Sequence, residues 1–328
     1  MNEIIYEGPF KDHIQSHVEL KRAVGYKYDT DARHLKRFDL FTLDKHPCAT
    51  TLTKEIVLEW CAKTAYEAQA NQCSRASIIR QFGKYMDSMG MEAYILPKGY
   101  YPTEEQYVPH VYTADELARF FSQTDRCRYC YECPYRHLIM PVFFRMIYMC
   151  GLRVSEARLL KVADVDLENG ILTIHHSKKD NSRLVPMSDA LTDRCRQYSK
   201  QVHPYSLAEA VYFPALNGQP MTITNVYSNF RRFLWRAGIS HGGRGAGPRI
   251  HDFRHTYAVH CLKMWVEQGK DLTAYLPVLK TYLGHDSFEE TAYYLRLTAD
   301  VFPDITLKLE TRYPGIIPEL EGVPDETD

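Results

Sequence analysis

Residues 151–156 read Gly-Leu-Arg-Val-Ser-Glu and follow a mostly apolar stretch, residues 138–150. The apolar run predicts a buried helix, and a glycine directly after such a run is a common helix end. The more polar residues that follow begin another helix after a tight turn. This stretch therefore predicts two helices joined at Gly151, with Arg153 at the start of the second.

The next part of the chain contains its only clear β pattern. The pattern consists, in order, of residues 165–167, the turn dipeptide Asn169-Gly170, the β-prone residues 171–174, a polar turn over 177–182 and the apolar residues 184–186. Asn-Gly between apolar runs is a strong hairpin signal. We expect a small antiparallel sheet inside an otherwise helical domain, with Lys178 in one of its turns.

The first hundred residues predict a bundle of four short amphipathic helices. Their signals are apolar spacing over 10–23, a cap at 29–31, a cap at Thr53, and apolar spacing over 78–86 that ends near Gly90. The exposed faces of the second and fourth helices carry bases, for which a solvated face is the simplest interpretation: Arg33, Lys36, Arg37, Arg75, Arg80 and Lys84.

Length and punctuation predict two domains in the 328 residues. Residues 1–95 form the helical domain, the proline-rich stretch 96–110 is a linker, and residues 111–314 form the second domain. A capping box at Thr113 and Glu116 starts that domain. Residues 315–328 are an acidic tail with five acids and no base, so the net charge of −1 leaves +4 on residues 1–314. A mildly basic body permits DNA binding without requiring it.

The location expected from the sequence is the cytoplasm. The first residues lack the basic start of a signal peptide, and no stretch reaches the roughly 18–20 apolar residues of a membrane span. Nine cysteines in a chain without a secretory signal indicate reduced thiols. We therefore expect no membrane partner.

Three further segments hold chemically versatile side chains. His-Asp-Phe-Arg-His occupies 251–255 after a glycine-rich loop, Leu-Gly-His occupies 283–285 at a helix end, and Tyr294 lies nine residues after His285. Together with Arg153 and Lys178, these segments resemble the signature of the tyrosine recombinase (phage integrase) family in order and spacing. Arg183-Leu-Val-Pro-Met fits the strand that follows the lysine in that family.

The resemblance implies a helical core-binding domain and an α+β catalytic domain, which makes the fold class mainly α with a small antiparallel sheet. It also implies that the bases on the second and fourth helices contact DNA phosphates. It implies a site-specific recombinase that cleaves and rejoins duplex DNA through a 3′-phosphotyrosine. Four protomers would exchange strands through a Holliday junction at the bacterial nucleoid. In such enzymes the residues after the nucleophile often contact a neighbouring protomer, and the apolar segment 301–320 suits that contact.

The residue types agree with this chemistry. Arg153 and Arg254 can stabilise negative charge on a phosphate, which removes the need for a metal cofactor in catalysis. His251 is the candidate proton acceptor for Tyr294, and His285 is a candidate hydrogen-bond donor to the phosphate. Lys178 is the candidate acid for the departing 5′ oxygen, with Lys179 in reserve, because Ser-Lys-Lys replaces the usual Gly-Lys-Gly.

Other residues close to these candidates in the sequence need separate interpretation. Glu156 fits a residue that orients an arginine better than it fits a catalyst. Helical geometry lets only one of Tyr293 and Tyr294 face the site, and the family spacing selects Tyr294. His255 is assigned no role.

A cysteine cluster lies outside the family pattern, in an insertion over 125–137. Cys127, Cys130, Cys133 and His137 have the spacing of structural Zn²⁺ ligands. The same run resembles part of an iron–sulfur motif without its fourth cysteine, and ordinary reduced thiols are the third interpretation.

Two alternative functions remain at this point. A type IB topoisomerase uses the same chemistry to relax supercoils as a monomer. A non-catalytic DNA-binding regulator would use the cysteine cluster to sense metal or redox state, and its function would not need Tyr294.

Overall fold

Four helices make up the described part of the first unit: α1 (Lys11–Ala23), α2 (Asp29–Lys45), α3 (Lys54–Cys61) and α4 (Gln69–Ser88). Thr53 caps α3, since its hydroxyl accepts the backbone N–H of Ile56 at 3.4 Å. The apolar stripes of the helices meet in one core, where the ring of Phe38 lies 6.1 Å from Phe10 and 6.2 Å from Phe82. The predicted bundle of four helices is therefore present.

The computed structural model describes residues 4–102, 107–175, 182–243, 247–285, 287–302 and 311, and it divides the chain into two compact units, Met1–Tyr107 and Val108–Asp328. The predicted linker 96–110 begins inside the first unit. Leu96 is fully buried in the core of that unit, and its carbonyl accepts the Nε–H of Arg80 at 2.8 Å. These two contacts hold the start of the proline-rich stretch against the first unit.

The second unit begins with the predicted capping box. The Thr113 hydroxyl accepts the backbone N–H of Glu116 at 3.2 Å, and the Glu116 carboxylate accepts that of Thr113 at 2.9 Å. The helices that follow are α5 (Ala114–Asp125), α6 (Arg136–Met149), α7 (Val154–Leu159), α8 (Asp189–Val202), α9 (Ile223–Arg236), α10 (Asp252–Glu267), α11 (Leu272–Leu283) and α12 (Phe288–Val301). A short 3₁₀ helix spans Val162–Asp164.

The sheet has three antiparallel strands in the order β1 (Val165–Asp166), β2 (Ile171–His175) and β3 (Ser182–Pro186). Leu172 pairs with Val165 on one side and with Val185 on the other. The turn between β1 and β2 needs Gly170, whose φ of +69° lies in the left-handed region. Its position matches the predicted Asn-Gly turn, and the mainly helical fold class with a small sheet is confirmed.

Two apolar cores support the second unit. The larger one centres on Phe120, Phe144 and Phe253 and lies among α5, α6, α9 and the start of α10. The smaller one joins α10, α11 and α12 and includes Leu262, Leu283 and Tyr294. Helix α10 thus contacts the larger core through Phe253 in its first turn and the smaller core through Ala258, Val259 and Leu262 further along.

Several predicted features lie outside the described residues. They are Lys178 and Lys179 in the turn after β2, the acidic tail 315–328, and all of the segment 301–320 except Val301, Phe302 and Thr311. Within the described ranges, no helix combines the length and apolar character needed to cross a membrane.

Candidate active site

Arg153 and Glu156 form the first part of the site at the start of α7. Arg153 is the N-cap of this helix, and its backbone N–H donates to Oε2 of Glu156 at 2.9 Å. Its guanidinium Nη1 donates to Oε1 of the same carboxylate at 3.3 Å. These two contacts hold Arg153 at the turn after α6, while 21% of its side chain stays exposed.

Arg183 is a site residue that the sequence interpretation did not single out. Its Nη1 and Nη2 donate to the two oxygens of Glu156, each at 2.8 Å, and its Nε donates to the carbonyl of Tyr282 at 2.8 Å. Burial alternates along β3, so Arg183 and Val185 face inward while Leu184 is exposed. This alternation was a readable signal, because it places an arginine on the core face of a strand.

Glu156 therefore stays ionised in a buried place. Burial of the Glu156 carboxyl raises its pKa. The hydrogen bonds and charge of Arg183, followed by the charge of Arg254, outweigh this effect and lower the pKa to about 2. One carboxylate thus links the start of α7 to β3.

Arg254 is fully buried in the first turn of α10. Its Nη1 donates to the carbonyl of Gly151 and its Nη2 to that of Leu283, both at 2.8 Å. These carbonyls lie at the ends of α6 and α11, where backbone acceptors lack helical partners. The observed contacts of Arg254 hold the Gly-Leu-Arg and Leu-Gly-His segments together, and direct contact with a phosphate stays a prediction.

Gly151 cannot be replaced at this junction without a shift of its surroundings. Its φ is +58°, and a Cβ atom there would lie 2.7 Å from the ring of Tyr257. The turn between α6 and α7 therefore depends on glycine for both backbone conformation and space.

A series of ring contacts leads from His251 to His285. The ring of His251, at the start of α10, lies 4.6 Å from that of His255, which lies 5.5 Å from the ring of Tyr294. On the other side, Tyr294 stacks on His285 at 5.7 Å with an interplanar angle of 15°. His285 is buried, and its Nδ1 lies 2.8 Å from the hydroxyl oxygen of Thr291.

Tyr294 and Tyr293 have different environments on α12. Tyr294 is 1% exposed and lies between His285 and His255, whereas Tyr293 is partly exposed and its ring lies 6.3 Å from His255. His255 also belongs to this site, although no role was predicted for it from the sequence. Its position four residues after His251 placed it on the same helical face, which was the signal available in the sequence.

Lys178 lies outside the described residues, but the base of its turn is described. His175 and Ser182 form the last pair between β2 and β3, and Nδ1 of His175 lies 3.0 Å from the hydroxyl of Ser182. Nε2 of His175 lies 3.0 Å from Oδ1 of Asp164. These contacts hold together the two strand ends from which the turn starts.

Five of the six bases predicted to bind DNA in the first unit divide into two groups. Arg33, Arg37 and Lys84 are exposed. Lys36 contacts Glu7 and Asp39, and Arg80 donates to the carbonyls of Leu96 and Pro97. Only the first group presents its charge fully to solvent.

The placement of Arg75 on an exposed face was wrong. Arg75 is only 9% exposed, and its guanidinium donates to Glu67 and to the carbonyls of Trp60 and Ala62. The physical reason is its position four residues before the buried Ile79, which places it on the core stripe of α4.

The zinc prediction is not supported. Within the described ranges, no group of three or more His, Cys, Asp or Glu side chains could hold a metal ion, and the predicted ligands Cys127, Cys130, Cys133 and His137 all lie in those ranges. The Cys130 thiol instead donates to Glu132 at 2.6 Å, and the ring of His137 packs edge-on against Tyr129. Spacing alone did not bring the four side chains to one point.

Comparison with known proteins gives consistent matches. The sequence profile of the phage integrase family matches residues 111–300. The chain is 29% identical to a putative integrase/recombinase, y4rB, of Sinorhizobium fredii over 93% of this chain and 98% of the relative. It is 30% identical to tyrosine recombinase XerD of Proteus mirabilis over 47% of this chain and 46% of that protein.

Solved structures share the fold at low sequence identity. The Tn1549 transposon integrase in complex with transposon right end DNA superimposes with a TM-score of 0.63 and 15% identity, over 92% of this chain and 99% of that one. XerH site-specific recombinase bound to its palindromic difH substrate gives 0.59 and 18%, over 87% and 78%. Since the profile match spans more than half of the sequence, this chain belongs to the phage integrase family, the tyrosine recombinases.

Proposed function

We propose that this chain recombines DNA at specific sites, with Tyr294 as the nucleophile. The observation that supports this most is the place of Tyr294, buried between His285 and His255 beside the helix turn that holds Arg254. A phenol in that place is close to groups that can accept its proton and stabilise a phosphate. The DNA complexes of the similar structures favour duplex DNA as the partner.

The reaction exchanges one phosphate ester for another. The Tyr294 oxygen attacks phosphorus while His251 accepts its proton, directly or through the adjacent His255. The bond from phosphorus to the 5′ oxygen breaks, and Lys178 protonates that oxygen. The products are a 3′-phosphotyrosine and a 5′ hydroxyl, and attack by another 5′ hydroxyl reverses the step. One ester bond forms as another breaks, so no ATP or redox partner is needed.

Arg153 and Arg254 differ in their proposed contributions. Arg153 retains exposed surface, so it can bind a nonbridging oxygen while Glu156 holds its orientation. Arg254 fixes the backbone on both sides of the phosphate position and adds positive charge. Preorganised donors of this kind are worth about 10²–10³ in rate each.

We further propose that four protomers act together on two DNA sites and exchange strands through a Holliday junction. The DNA would be a bacterial chromosome or a mobile element, which places the work in the cytoplasm at the nucleoid. In the first unit, the exposed Arg33, Arg37 and Lys84 would contact phosphates.

Covalent capture of DNA tests the proposed chemistry. The full chain is incubated with fragments of its source genome in EDTA, denatured, and the DNA that stays attached to protein is sequenced. We expect enrichment of one sequence, a crosslink at Tyr294, and no capture by Tyr294→Phe. Tyr293→Phe is the matched control and should capture as the wild type does.

Other results would contradict the proposal in different ways. Equal capture by Tyr294→Phe would exclude this nucleophile, and a strict need for divalent metal would exclude the mechanism. Capture without sequence enrichment, together with supercoil relaxation and no strand exchange between captured sites, would favour a topoisomerase.

A further inference from the structure

A cleft of about 560 Å³ opens between the segment that joins α5 to α6 and the end of α9. We call it the arginine pocket, and it is lined by Gln123, Arg126, Arg128, Tyr129, Arg136, Trp235 and Arg236. Its volume falls in the roughly 300–1,000 Å³ range of small-molecule sites. The segment is the insertion over 125–137 whose cysteines suggested zinc. In the structure this insertion forms part of the wall of a cleft.

The residues that line the arginine pocket carry an excess of positive charge. Four arginines line it, and no carboxylate does. Of the nearby acids, Asp125 accepts two hydrogen bonds from Arg145 at 2.7 Å. Glu132 accepts a hydrogen bond from the Cys130 thiol, which lowers the pKa of its carboxyl, and the charge of Arg136 lowers that pKa as well. Within the described ranges these four arginines form no salt bridge, and the buried Nε of Arg136 has no hydrogen-bond partner. A site of this kind attracts an anion.

Two aromatic rings beside the arginines narrow the class of anion. Trp235 is 80% exposed and Tyr129 is 62% exposed. Exposed aromatic faces stack nucleobases, and guanidiniums bind phosphate oxygens with forked hydrogen bonds. The combination fits a ligand that has both a phosphate and a planar ring.

The arginine pocket is separate from the candidate active site. Arg136 begins α6, whereas Gly151 and Arg153 follow its end. A helix of 14 residues is about 20 Å long. A ligand in the arginine pocket therefore lies well beyond contact with a phosphate at Arg153.

We infer that the arginine pocket binds a nucleotide, with the phosphate on its arginines and the base stacked on Trp235 or Tyr129. The nucleotide comes either from an unpaired DNA strand or from the free pool, and both sources present the same chemistry. The inference goes beyond the proposed function. Only the possibility that the nucleotide belongs to DNA rests on the proposed function.

Binding measurements on full-length Tyr294→Phe protein test the inference, because they do not require cleavage. The probes are deoxyadenosine 5′-monophosphate, deoxyadenosine, inorganic phosphate, and a 20-nucleotide DNA as single strand and as duplex. Arg128→Ala and Trp235→Ala are the test variants. Lys200→Ala and Tyr205→Ala remove an exposed base and an exposed ring outside the pocket and are the matched controls.

We expect the monophosphate to bind at least tenfold more tightly than deoxyadenosine or phosphate. Its affinity should fall about tenfold in each test variant and stay unchanged in each control. Thermal unfolding of all variants checks that they fold. If the single strand shows this dependence and binds far more tightly than the monophosphate, DNA is the source. If the monophosphate binds more tightly than the single strand, the source is the free nucleotide pool.

Two results would overturn the inference. One is unchanged affinity for both the monophosphate and the single strand in folded Arg128→Ala and Trp235→Ala, or no binding of either probe. The other is a loss confined to the duplex, which would make these residues part of a duplex backbone contact. A failure of covalent capture with intact nucleotide binding would reject only the proposed recombinase chemistry.

Discussion

Arg183 and Glu156 face each other as a buried pair, with both terminal nitrogens of the guanidinium 2.8 Å from the two carboxylate oxygens. Only 7% of the Arg183 side chain and 10% of the Glu156 side chain are exposed. The same carboxylate accepts the backbone N–H of Arg153. The position of Arg153 thus depends on a residue of a strand that follows it by 30 positions in the sequence.

Glu156→Gln should destabilise the chain strongly. The amide removes the negative charge and leaves Arg183 buried without a counter-charge, which typically costs about 3–5 kcal/mol. Urea unfolding of the second unit measures the loss, and Glu289→Gln on the exposed side of α12 is the control. A change below about 0.5 kcal/mol would show that this pair adds nothing to stability.

The contribution of Glu156 should also depend on pH in a defined direction. Its pKa in the folded chain is about 2, below its ordinary value of 4.5. The unfolded chain therefore takes up the proton first as the pH falls, so the stabilisation is complete above pH 4.5 and is lost toward pH 2. The difference in unfolding free energy between wild type and Glu156→Gln should shrink across that window. A difference that stays constant there would contradict the assignment.

Thr291→Val should slow cleavage without loss of DNA affinity. The hydroxyl of Thr291 lies 2.8 Å from Nδ1 of His285, and the imidazole stacks on Tyr294, so the hydroxyl fixes the ring. A small misplacement of a catalytic group costs about 10- to 100-fold in rate. Single-turnover cleavage of a captured site measures the effect. Thr281→Val, at an exposed position of α11, should cleave normally, and an equal loss in both variants would reject the role of Thr291.

Lys178→Ala should block cleavage of ordinary DNA and be rescued by sulfur at the leaving position. General acids contribute about 10²–10⁴ in rate, and a 5′-thiolate departs without being protonated. A substrate with a 5′-bridging phosphorothiolate therefore tests the assignment. Lys179→Ala is the control and should cleave both substrates normally. Rescue of Lys179→Ala instead would exchange the roles of the two lysines.

Arg33→Ala and Arg37→Ala should each weaken DNA binding in a salt-dependent manner. Each phosphate contact contributes about 0.9 to the slope of log affinity against log salt. We expect each variant to lower that slope by about one. The slope is measured by titrating the protein with DNA at salt concentrations between about 50 and 200 mM. Arg80→Ala should leave the slope unchanged, because its guanidinium donates to backbone carbonyls. A reduced slope in Arg80→Ala alone would contradict this division.

Local signals in the sequence predicted most of the elements. The capping box at Thr113, the cap at Thr53 and the turn at Asn169-Gly170 all occur where the sequence placed them. Each depends on side chains within a few residues of one another, so the sequence contains the whole interaction.

Predictions about exposure and about distant side chains were less successful. Arg75 was predicted to be exposed because it is charged. Its spacing of four residues from Ile79 instead places it on the core stripe of α4. Cys127 and its neighbours had suitable spacing for zinc, but the turns between α5 and α6 direct the segment toward α9. Spacing fixes distance along the chain and leaves the direction of each side chain open.

The sequence by itself determined the order of the elements and the set of residue types at the site, from Arg153 to Tyr294. Only the tertiary structure decided that Arg183 shares the carboxylate of Glu156, that His255 lies beside Tyr294, and that four arginines surround one cleft. The physical reason is that helix and turn signals act over a few residues. Contacts between residues 27 to 110 positions apart depend on how whole helices and strands pack.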